Sequence, residues 1–145
     1  MILIGGYAGR ILGASRTTDD IDLVYDRSPE NVDRLVQTLA PYHPYPRGAP
    51  RGLPFHFDRR QILNGLNFTF ESDLGWIDLL GEAAGGGTYN ELLPNAVRVR
   101  IDRHDVMCVT LETLIRLKTA AGRPKDFEAI AELQSLRIRS KDVSQ

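Results

Sequence analysis

Ile2, Leu3 and Ile4 form an unbroken apolar run that stops at Gly5-Gly6, the pattern of a short buried strand. Ala8, Ile11 and Leu12 follow at helical spacing, so residues 7–13 are expected to form a short helix that starts at the glycines. From Asp20 to Tyr25 the pattern becomes alternation, with Ile21 and Leu23 on one strand face and Asp20 and Asp22 on the other. Ser28-Pro29-Glu30 reads as a helix start, with serine at the N-cap and proline at the first helical position. Val32, Leu35, Val36, Leu39 and Ala40 then make a core-facing stripe that ends at Pro41.

Five prolines between Pro41 and Pro54, with Gly48 and Gly52, predict a loop longer than a plain connector needs. Strands are expected near Phe55–Phe57, Leu66–Phe70 and Trp76–Leu80, and GEAAGGGTYN reads as a glycine-rich loop. Val97–Ile101 and Asp105–Val109 read as a hairpin whose turn lacks the usual glycine. Thr110 caps a helix from Leu111 to about Ala121, closed by Gly122. Pro124 opens a last helix that is expected to pack through Phe127, Ile130, Ala131 and Leu133, and the polar tail RSKDVSQ is expected to fray. No repeat or linker divides the pattern. The expectation is one domain over residues 1–145, of class α/β (α+β).

Composition narrows the class. The 145 residues are 42% hydrophobic and 26% charged, the balance of a globular chain rather than a disordered one. No apolar run reaches the length of about 18 residues that a membrane span needs, and a signal-peptide pattern is absent, so the cytoplasm is expected. Cys108 is the lone cysteine, which excludes an intrachain disulfide and a multi-cysteine zinc site. A net charge of −1 excludes a broadly basic nucleic-acid coat. The excess of arginine over lysine suits phosphate recognition, but a GC-rich genome gives the same bias, and only clustering around a site would argue for the former.

The chemistry begins with the aspartates. Asp20 and Asp22 leave one strand face about 6.6 Å apart at the backbone, close enough for one to be pushed protonated. A hard cation such as magnesium between them would remove that conflict. Asp78, in the apolar stretch GWIDLL, shares a strand face with Trp76 and Leu80 and is a third candidate. Three carboxylates on neighbouring strands are what a two-metal phosphoryl-transfer site needs; the bland alternative is an exposed edge strand with solvated aspartates. Gly5-Gly6, at a strand-to-helix junction, can cradle a phosphate or simply make a tight turn.

Taken in order, Ile4-Gly5-Gly6, Asp20-Ile21-Asp22 and Asp78 resemble the nucleotidyltransferase superfamily of DNA polymerase beta-like folds. Gly13, Arg16 and Thr18 fit the form found in its small bacterial members, the minimal nucleotidyltransferases and the abortive-infection type toxins of toxin–antitoxin pairs. LETLIRLKTAAGRPKDF resembles their helical segment, so the likeness covers nearly the whole chain. The resemblance implies a mixed β-sheet flanked by helices, an NTP donor and two magnesium ions, with manganese as a substitute. It implies Asp20, Asp22 and Asp78 as metal ligands and catalytic residues, and Gly5, Gly6, Arg16, Thr18 and Lys118 at the nucleotide. The implied acceptor is a hydroxyl of a tRNA or other RNA, a partner protein or a small molecule. A catalytically silent module that masks a partner is the alternative, and a metal-dependent nuclease the third reading.

Two departures stand out. Gly6 replaces a serine common in relatives, and the helix that relatives carry before the first strand is expected to be missing, which would leave that strand an association-prone edge. Lys118 falls on the apolar face of its own helix, where it must reach out to water or meet an anion. Arg123 and Asp126 are expected to form a local ion pair. Arg47, Arg51, Arg59 and Arg60 flank the proline-rich loop and could meet an RNA backbone. His43, His56 and His104 lack metal-ligand spacing, and Gly85–Thr88 lacks the lysine of a phosphate loop.

Overall fold

A computed structural model describes residues 1–144. Strand β1 (Ile2–Ile4) runs directly into helix α1 (Gly5–Ile11), and β2 (Asp20–Val24) is followed by α2 (Pro29–Leu39). Then come β3 (Tyr45–Pro46), α3 (Arg59–Asn64), β4 (Asn67–Ser72) and β5 (Gly75–Leu80). A two-stranded ladder of β6 (Glu82–Ala83) and β7 (Gly87–Thr88) leads into α4 (Tyr89–Leu92). The hairpin β8 (Ala96–Ile101) and β9 (His104–Val109) precedes α5 (Leu111–Ala121) and α6 (Pro124–Val143).

The strands form a mixed seven-stranded sheet in the order β3-β4-β5-β2-β1-β9-β8, and with the helices this is a mixed α/β (α+β) architecture. β1 lies antiparallel to β2 and parallel to β9, and β2 lies parallel to β5. The expected open edge at the first strand is therefore absent. Ile2, Leu3 and Ile4 are all buried because β1 has a neighbour on each side and helices across its faces.

Two apolar clusters hold the sheet. One joins β1 and β9 to α1, α5 and α6 through Ile2, Ile4, Ala8, Cys108, Leu114, Leu117 and Leu133. The other joins β4 and β5 to α2 and α3 through Val32, Leu35, Ile62, Phe70, Ile77 and Leu79. Alternation along β5 therefore sends Ile77 and Leu79 to the second cluster and turns Trp76, Asp78 and Leu80 to the opposite face.

Most expected elements are present, with informative differences. Ser28 stands at the N-cap of α2, but its hydroxyl makes no cap bond; its backbone N–H donates to Asp26 Oδ1 at 2.9 Å. Phe55–Phe57 is not a strand. Phe55 and Phe57 instead pack their rings on Phe70, and α3 follows, capped by Asp58 through the Gln61 N–H. The proline-rich stretch yields the edge strand β3, whose Pro46 stands opposite Phe70, as an edge position allows. GEAAGGGTYN carries β6, β7 and the start of α4 rather than a plain loop, with a Thr88–Glu91 capping box.

The hairpin turn works without glycine because Asp102 takes φ +52°, a conformation aspartate tolerates. Thr110 caps α5 by accepting from Thr113 N–H at 3.3 Å, and Gly122 ends it at φ +63°. In α6 the packing stripe runs through Asp126, Ile130, Leu133 and Leu136, so Phe127, one position off it, is 65% exposed, and Ala131 is exposed as well. The tail expected to fray continues the helix to Val143; Gln145 lies outside the described residues.

Candidate active site

Strand pairing brings the carboxylates together. Asp22 stands opposite Ile4 of β1 on one side and Asp78 of β5 on the other, while Asp20 pairs with Trp76. Paired residues on neighbouring strands point to the same face. A carboxylate oxygen from each of Asp20, Asp22 and Asp78 therefore lies within 4.8 Å of the other two. Burial, with Asp20 and Asp78 close by, pushes the Asp22 carboxyl up to about 7, against partial relief from Arg123 and Lys118. Three half-buried carboxylates held this close are a hard-oxygen donor set suited to magnesium, and the residues fit that ion.

The two glycines are explained by what lies against them. Gly5 has φ +70°, and a Cβ there would fall 2.1 Å from Asp22 Oδ2. A Cβ on Gly6 would fall 2.6 Å from the Thr18 Cβ. Thr18 in turn donates its hydroxyl proton to Asp20 Oδ1 at 2.9 Å. Bare backbone at 5 and 6 is thus what lets α1 start hard against the acidic strand.

Beside Asp20 and Asp22 opens a cleft of about 360 Å³ between the start of α1, α5 and α6. Gly5, Gly6, Arg16, Thr18, Asp20, Asp22 and Lys118 all line it. Asp78 does not; it adjoins the other two carboxylates from the β5 side. Three cations of the cleft, Arg16, Lys118 and Arg123, already have partners. Arg16 pairs with Glu128 at 2.9 Å, and Lys118 Nζ lies 3.6 Å from Asp126 Oδ1. The expected Arg123–Asp126 pair is present at 2.8 Å and lines the cleft too, as does Lys125. Burial acts to raise the Asp126 carboxyl, but the Arg123 hydrogen bonds and the charges of Arg123 and Lys118 outweigh it and leave it below its ordinary value.

Residues 76–144 match the family described as "Nucleotidyl transferase of unknown function (DUF2204)". That match supports a nucleotidyltransferase family. It spans Asp78, Lys118, Arg123 and Asp126, whereas Gly5, Gly6, Asp20 and Asp22 precede it. No curated protein matches the chain.

Arg47 is the residue that sequence reasoning misplaced. Its position beside the proline-rich loop groups it with Arg51, Arg59 and Arg60 as a patch that could meet an RNA backbone, but its Nη2 donates to Asp78 Oδ1 at 2.6 Å, and its guanidinium lies 4.6 Å from the Trp76 ring centroid. No local signal marks it, because the contact depends on the β3–β4 pairing. Arg51 and Arg59 of the same group pair with Glu71 and Asp33, at 2.5 and 3.1 Å. Three of those four arginines are therefore held by carboxylates rather than offered together as one basic surface. Among the described residues no helix is long and apolar enough to cross a membrane.

Proposed function

We propose that the protein is a magnesium-dependent nucleotidyltransferase that moves a nucleoside monophosphate from an NTP onto an acceptor hydroxyl. The observation that carries this reading is the meeting of Asp20, Asp22 and Asp78 at the rim of a cleft lined by Gly5, Gly6, Arg16, Lys118, Arg123 and Lys125. The three aspartates would hold magnesium, which supplies charge neutralisation of the phosphates and activation of the acceptor oxygen. The cleft suits the donor: Arg16, Lys118, Arg123 and Lys125 offer cations for phosphate oxygens, and Gly9, Ala14, Leu114 and Leu117 give apolar lining for the nucleoside.

Transfer joins the acceptor oxygen to the α-phosphorus and releases pyrophosphate, with the hydroxyl proton passing to solvent. Attacking and leaving oxygens lie in line. With the triphosphate in the cleft, the acceptor comes from the other side of Asp22, over β5. This chain contributes chiefly by positioning and by charge.

The test is thermal unfolding with each of the four NTPs, with and without magnesium, for wild type and Asp20→Asn/Asp22→Asn. A ligand at about a hundred times its Kd stabilises by about 2.7 kcal/mol. The expected result is a magnesium-dependent rise with one NTP that the double variant loses, followed by transfer of label from that NTP. Stabilisation that survives in the double variant, or label transfer that does not need Asp22, would refute the assignment.

A further inference from the structure

Asp78 carries a contact that a metal ligand does not need. Arg47 Nη2 donates to Asp78 Oδ1 at 2.6 Å and to the Phe70 carbonyl at 3.1 Å. The two side chains are mostly buried, 22% and 19% exposed, so water screens the pair little. Above them the guanidinium lies on the indole of Trp76, a residue otherwise 46% exposed. This is a strong local cation site on the carboxylate nearest the acceptor side.

We propose that Arg47 is an exchangeable counter-ion of Asp78: it holds the carboxylate in the metal-free protein and leaves it when the triad takes up a divalent cation. The inference rests on the reading of Asp20, Asp22 and Asp78 as metal ligands. Three observations separate exchange from a permanent orienting contact. First, the guanidinium holds a ligand oxygen itself, not the far side of a neutral group, so its charge repels a divalent cation at that carboxylate. Second, Arg47 Nε is buried and finds no acceptor among the described residues. An orphaned donor weakens the docked arrangement relative to one in which the head is solvated.

Third, leaving Asp78 needs no backbone movement. The Arg47 backbone is fixed by its N–H on the Thr69 carbonyl at 2.9 Å, so exchange requires only rotation of the side chain. Leaving Asp78 takes the guanidinium off the indole face as well. Trp76 is the single tryptophan of the chain, so its emission reports the position of Arg47 directly.

The experiment titrates metal-free full-length protein with magnesium chloride, following heat by calorimetry and Trp76 emission in parallel. In wild type the emission is expected to change as magnesium binds. Arg47→Met is expected to bind magnesium about tenfold more tightly, the scale of one hydrogen bond to a charged group, and its emission should no longer respond. Asp78→Asn gives a second reading without touching Arg47. Its metal-free emission should resemble that of metal-loaded wild type, because the guanidinium has lost its anion.

Equal or weaker magnesium binding by Arg47→Met would overturn the exchange, since Arg47 would then be a bystander or an orienting group. Wild-type emission that stays fixed while calorimetry shows binding would overturn it too. Both of those results leave the metal reading of the triad standing. Absence of magnesium binding in wild type and Arg47→Met alike, with and without NTP, would overturn both.

Discussion

Gly5→Ala isolates the contact between the start of α1 and the acidic strand. Gly5 has φ +70°, which costs an L-residue roughly 1–2 kcal/mol. The added methyl would also fall 2.1 Å from Asp22 Oδ2, where ordinary contact begins at 3.4 Å. Asp22 cannot retreat through its backbone, which is paired with Ile4 on one side and Asp78 on the other. Its side chain must therefore leave its rotamer, at about 0.5–1.5 kcal/mol. The expected loss of metal-free stability is about 2–3 kcal/mol by denaturant titration. Magnesium affinity should fall at least about tenfold by calorimetry, because the displaced carboxylate no longer meets Asp20 and Asp78. Gly48→Ala is the control: φ +77° but nothing within 4 Å, so it should lose only about 1 kcal/mol and bind magnesium normally. Equal stability losses in the two variants, with magnesium binding intact in Gly5→Ala, would refute the steric argument.

Two further outcomes follow from the structure. Arg27 Nη1 donates to the Gly65 carbonyl at 2.6 Å and Nη2 to the Leu63 carbonyl at 3.0 Å, closing the C-terminus of α3. Arg27→Ala should therefore lower stability by about 1–3 kcal/mol, and a change under about 0.5 kcal/mol in chemical unfolding would discount that cap. The raised Asp22 value means that folding favours its protonated form: the contribution is full below the ordinary value of 3.8 and is lost as pH rises through about 7. In metal-free protein Asp22→Asn should remove that decline and be more stable at pH 8, on the order of 2 kcal/mol; unfolding curves that keep the wild-type pH slope would contradict it.

How much of this was legible in the chain depends on the range of the interaction. β1, β2, β5, α2 and α5 were readable because each carries its own period and its own punctuation: Gly5-Gly6, Pro29, Thr110, Gly122. Phe55–Phe57 misled because aromatic alternation suits a strand and equally suits a loop whose rings reach Phe70. Phe127 misled because helical periodicity locates a stripe only within about one position, and the stripe of α6 runs through Asp126 instead. The aspartates could be singled out because charge in an apolar run is a local anomaly. That Asp22 and Asp78 stand directly opposite one another required the parallel pairing of β2 with β5, which no local pattern encodes. Arg47 is the extreme case, since it reaches Asp78 across two strand pairings from an edge strand of two residues.

The same distances settle why the metal-free site can fold at all. Three carboxylates within 4.8 Å would repel one another strongly if all were ionised and alone. Two devices divide that load. On the cleft side, Asp22 keeps a proton until about pH 7, with Arg123 and Lys118 acting at longer range. On the β5 side, Arg47 neutralises Asp78 by direct contact. Neither device is compatible with full loading of the triad by divalent cations, because the first leaves a proton on a ligand and the second leaves a guanidinium on one. A site built only for stability would use fully bonded partners, as Asp126 has in Arg123, which donates to both of its oxygens, and in the nearby Lys118. The triad instead carries neutralisers that can be displaced, a titrating proton and a side chain with an unsatisfied Nε. That contrast, between carboxylates of one small fold, is the physical argument for reading Asp20, Asp22 and Asp78 as a binding site and Asp126 as its scaffold.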